Sequence, residues 1–71
     1  MAFATQSNTG AENQQYDLVS VLYHALEGAA TCEQYIQDAQ GDEEIASFFR
    51  EVQEEYRNRA ERAKSLLKSR I

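Results

Sequence analysis

The chain reads as an all-α protein: a two-helix antiparallel hairpin over residues 16–71 that dimerises into a four-helix bundle. Three observations lead there. Apolar residues recur at helical spacing on both sides of a single break, Gln40-Gly41-Asp42, and no proline interrupts either side. At 71 residues the chain is short enough for a single core to be marginal. A lone hairpin has no second layer against which to bury its outer apolar faces, so a second copy is the simplest way to complete it.

Residues 1–15, MAFATQSNTGAENQQ, are polar, lack apolar periodicity and are expected to form a disordered tail. They show neither the basic start nor the apolar run of a secretory leader, and no later run reaches the length of a membrane span. A soluble, cytoplasmic protein without a membrane partner is therefore expected.

The first helix is expected from about Asp17, as an N-cap or first-turn acid, to about Ala39. At about 100° per residue, Leu18, Leu22, Ala25, Ala29, Cys32, Ile36 and Ala39 form one stripe. Val19, Tyr23, Leu26 and Ala30 flank it on one side, and Val21, Gly28 and Tyr35 on the other. That arc is wider than one neighbouring helix can cover, which implies a helix with two partners.

The turn spans residues 40–42, with Gly41 in the helix-stop position and Asp42 capping the second helix. This helix is expected over about 43–70, with Ile45, Phe49, Val52, Tyr56, Ala60, Ala63 and Leu67 in register and Phe48 and Leu66 beside them. The expected dimer core draws on both helices: Leu18, Leu22, Leu26, Ile36, Phe49, Val52, Tyr56 and Leu67.

The net charge of −5 is unevenly spread: residues 1–55 hold eleven acids and one base, residues 56–71 six bases and one acid. Acids at the start of the second helix and bases at its end suit the helix dipole, which accounts for much of the asymmetry. Arg57, Arg59, Arg62, Lys64, Lys68 and Arg70 lack the aromatic interleaving and fold motif of a nucleic-acid surface, and none is expected.

The segments ALEGAATCEQYIQDA and IASFFREVQEEYRNRAERAKSLL resemble the helical hairpin of the ferritin-like superfamily, especially its rubrerythrin-like members. The matching pieces are Ala25-Leu26-Glu27-Gly28, Tyr35, Phe49 and the stretch from Ala60 to Leu67. Family members usually carry two such hairpins in one chain, so the resemblance implies a dimer that restores the four-helix unit. It also implies a di-iron site of inward carboxylates and Glu-x-x-His pairs.

Aligning the family's tyrosine with Tyr35 puts Gly28 at a ligand position, and aligning its phenylalanine with Phe49 puts Tyr56 and Arg59 at two more. Tyr56 and Arg59 are expected to face inward, where an obligate cation would occupy the place of a ferrous ion. No cofactor is therefore expected. Iron through displaced ligands, Glu27 and Glu33 with Glu54 and Glu55, is the alternative; the competing use of Glu33 is an ion pair with Arg59 or Arg57 in the dimer.

His24, in HALEGAA, also resembles the phosphorelay histidine of histidine phosphotransfer domains, with Gly28 one turn on, although Glu27 stands where that family has a lysine. Cys32, the only cysteine, lies in the core stripe as a small hydrophobe. The tyrosines read as amphipathic packing residues. The leading expectation is a non-enzymatic homodimeric bundle acting as a structural or protein-interaction module, with an iron- or peroxide-handling protein and a phosphotransfer module as alternatives.

Overall fold

The computed structural model describes residues 10–70. Two helices, α1 (Gly10–Asp38) and α2 (Glu43–Lys68), pack along each other as an antiparallel hairpin. The Cα positions span 52 × 27 × 14 Å, a slab one helix thick.

The turn is built as its residues dictate. Gly41 takes φ +97°, a backbone conformation that a β-carbon disfavours. Asp42 is extended, with φ −128° and ψ 92°, and its Oδ1 accepts a hydrogen bond from the Ile45 amide at 3.3 Å. Glu43 and Glu44 in the first turn of α2 and Lys68 in its last complement the helix dipole.

The start of α1 differs from the sequence reading. The helix begins at Gly10 rather than near Asp17, so residues 10–15, read as tail, are helical and Asp17 lies well inside. The rest of the expected tail, residues 1–9, lies outside the described residues. Gly10, Glu12, Asn13 and Gln14 are exposed, so their burial does not hold this part of the helix; Ala, Glu and Gln are good helix formers. A tie to the far end of α2 adds to this, as Gln15 Nε2 donates to the Arg70 carbonyl at 2.9 Å.

The contact between the helices is lined by small residues. Ala25, Ala29 and Cys32 of α1, and Ala39 just after it, are buried, as are Ala46, Gln53, Ala60 and Ala63 of α2. Leu18, Leu22, Ile36, Phe49, Val52, Tyr56 and Leu67 lie beside this seam, half-buried. On α2 the inward face is therefore rotated from the expected stripe: Ala46 is enclosed, whereas Ile45 remains 45% exposed. Small side chains let two helices approach closely, and close approach pushes larger neighbours out to the edges of the contact.

Leu26, expected in the dimer core with the residues above, is 55% exposed in the single hairpin. No helix among the described residues is long and apolar enough to cross a membrane.

Candidate functional site

One side of the hairpin is an open groove between α1 and α2. Its middle forms a cavity of about 510 Å³ walled by Val21, His24, Gly28, Thr31 and Tyr35 from α1 and by Tyr56 and Arg59 from α2. It continues towards the chain ends past Leu18, Asn58, Arg62 and Leu66. Towards the turn an aromatic run closes it: the Tyr35 and Phe49 rings lie 5.5 Å apart and the Phe49 and Phe48 rings 5.9 Å apart.

Gly28 and Tyr56, both placed at ligand positions by the ferritin-like resemblance, meet in the middle of this groove. A β-carbon added to Gly28 would stand 2.8–2.9 Å from the far end of the Tyr56 ring. The phenol thus lies over the glycine. Arg59, expected to face inward, is exposed and borders the groove. It makes no hydrogen bond or ion pair among the described residues.

The four displaced carboxylates do not converge. Glu27 lies 3.8 Å from His24 Nδ1, and Glu55 borders the groove beside Arg59. Glu33 and Glu54 are both drawn to Arg57, at 4.0 Å and 3.9 Å, on exposed side chains. The expected Glu33 ion pair thus occurs inside one chain, with Arg57 rather than Arg59 as the partner. No group of three or more His, Cys, Asp or Glu among the described residues could hold a metal ion.

Gln53 was not singled out by the sequence reading. It is the buried polar residue of the seam, and its Nε2 donates to the Ala29 carbonyl at 2.9 Å and to Glu33 Oε2 at 2.8 Å. The amide therefore links α2 to the backbone of α1 and to a carboxylate that also pairs with Arg57. The available signal was its spacing, seven residues from both Ala46 and Ala60.

His24 is highly exposed, and the Tyr23 ring meets its edge at 5.4 Å. With Glu27 alongside, its neighbourhood carries negative charge where a phosphoryl group would need a cation. Cys32 is 1% exposed, enclosed in the seam.

Comparison of the chain with protein-family models, with curated proteins and with solved structures finds no match.

Proposed function

We propose that this chain is a non-enzymatic structural or protein-interaction module that works as a homodimer, two hairpins packing groove to groove as an antiparallel four-helix bundle of the ferritin-like kind. The observation that carries the reading is the groove itself. Val21, Tyr35, Ile45, Phe48 and Leu66 line one side of the slab and are all substantially exposed, next to half-buried Phe49, Val52 and Tyr56.

On α2 these residues follow alternating steps of four and three, Ile45, Phe49, Val52, Tyr56, Arg59, Ala63 and Leu66. That is the seam spacing of a helix that packs against other helices along its length. Burying a large apolar side chain stabilises by about 1.5–3 kcal/mol, a gain this hairpin leaves largely unrealised along the groove. Charge favours turns at opposite ends, because the acidic start of one α2 then runs beside the basic end of the other. A non-enzymatic role is supported by what fills the centre, a phenol over a glycine with an arginine beside it.

Light scattering with circular dichroism tests the reading. The wild-type chain is expected at twice its 8.1 kDa mass, and Val52→Asp is expected to lose both the dimer and most of the helicity. A wild type that is helical and monomeric at micromolar concentration would overturn the proposal.

A further inference from the structure

Three charges of α2 stand along the groove without a partner. Glu55, Arg59 and Arg62 line its course towards the chain ends, all are exposed, and none makes a hydrogen bond or ion pair among the described residues. Other charges of the same helix are engaged within the chain: Glu43 with Arg50, Glu54 with Arg57 and Glu61 with Lys64. Glu55 and Arg62 are seven residues apart, in one row with Phe48, so they follow one edge of the α2 seam. Ala46, Gln53 and Ala60, spaced likewise, follow the other edge and are buried where the helix meets α1. In a groove-to-groove dimer the edge that carries Glu55 and Arg62 is therefore the one that meets the second α2.

Charge then selects how the two helices align. Antiparallel α2 helices can mesh their seams in registers one heptad apart, and two of these keep most of the helix in contact. The first sets Phe49 opposite the partner's Leu66 and Val52 opposite the partner's Ala63. It brings Glu55 beside the partner's Arg62 and, by two-fold symmetry, Arg62 beside the partner's Glu55. The second sets Phe49 opposite the partner's Arg59 and brings Glu55 beside the partner's Glu55. Opposite charges meet in the first register and like charges in the second, so the first is favoured.

We infer that Glu55 and Arg62 are the recognition pair of the groove: each forms an ion pair with the other residue on a second copy, twice across the two-fold axis, and the pairs fix the antiparallel register. This deepens the homodimer reading and rests on it. Each pair is completed only by the partner, which makes the groove selective for another copy of its own chain. The pairs lie at the rim, where ion pairs add little affinity, so apolar contact holds the dimer and the charges set its alignment.

Charge reversal on the full chain tests this. Glu55→Arg and Arg62→Glu each set like charges together at both symmetric positions, and sedimentation equilibrium at low salt should read a dimer at least about tenfold weaker than wild type. The loss should shrink as salt rises. Mixing the two variants brings opposite charges together again, so native mass spectrometry should find the heterodimer in excess over both homodimers. The double variant Glu55→Arg/Arg62→Glu should return to within about threefold of the wild-type dissociation constant.

An Arg62→Glu chain that dimerises as tightly as wild type would overturn the inference. So would a mixture without excess heterodimer, which would mean that the two residues act inside one chain. Light scattering on the wild type separates this inference from the homodimer reading. A monomeric wild type would sink the dimer and the pair together, whereas a dimeric wild type indifferent to both reversals would sink the pair alone.

Discussion

The two sides of α2 are built from residues of different size. Where α2 meets α1 it presents Ala46, Gln53, Ala60 and Ala63, all buried; towards the groove it presents Ile45, Phe48, Val52, Tyr56 and Leu66, exposed or half-buried. A self-sufficient domain arranges these the other way, because the large side chains carry most of the hydrophobic free energy. The internal contact is instead close and weakly apolar, and it uses one polar residue to fix the fit. The hairpin thus sets the geometry, while most of its large apolar side chains lie outside the internal contact.

The sharpest way to break the closed side is Gln53→Glu. The amide donates to the Ala29 carbonyl and to Glu33, and an ionised carboxylate has no donor for either. It would place a buried charge against two acceptors, one of them negative. The expected loss is about 3 kcal/mol at neutral pH, read by urea denaturation at fixed chain concentration. Burial and Glu33 would raise the new carboxyl's folded-state pKa above its unfolded value of about 4.3. The charge part of the penalty should therefore be absent below about pH 4.3, grow as pH rises above it and be complete once pH passes the folded value. A variant as stable as wild type at neutral pH would mean that the amide does not hold the seam.

On the open side, Arg59 occupies a seam position between Val52 and Leu66 and has no partner among the described residues. In the proposed dimer this cation enters an apolar contact, a polar group that specifies pairing at a cost in affinity. Arg59→Leu should therefore tighten the dimer by about tenfold while changing the isolated hairpin little. Sedimentation equilibrium reads the change, and an unaltered dissociation constant would place the groove outside the interface.

Much of this architecture was legible in the sequence. The Gly41 stop, the Asp42 cap and the register of Ala25, Ala29 and Cys32 follow from spacing and local chemistry, and the structure places them accordingly. The start of α1 was not legible, because a helix held by intrinsic propensity and by an end-to-end contact shows no apolar period. The rotation of α2 was hidden for another reason: periodicity marks the centre of the apolar arc, and that centre lies between the two surfaces α2 serves. Ile45 falls in the periodic stripe of α2 for that reason, yet it is 45% exposed while Ala46 is enclosed. Of the candidate site, Gly28, Tyr56 and Arg59 do share one groove, whereas Glu33 turns to Arg57 and leaves them.

The smallest expected effect probes the boundary between the two sides, and its sign is the informative part. Gly28 lies inside a helix, where replacement by alanine alone gains about 1 kcal/mol of intrinsic propensity. Against this, the added β-carbon would meet the Tyr56 ring at 2.8–2.9 Å, so the ring must swing outward into the groove; overpacking of this kind costs about 1–3 kcal/mol. Gly28→Ala should therefore destabilise by about 1 kcal/mol net. In a Tyr56→Leu background the steric cost disappears and only the propensity gain remains, so the same substitution should stabilise by about 1 kcal/mol. A double-mutant cycle by chemical denaturation reads both. Reversal of sign would show that the phenol demands the glycine, tying the inner edge of the groove to the helix contact; the same sign in both backgrounds would mean that the ring moves freely and the two sides are independent.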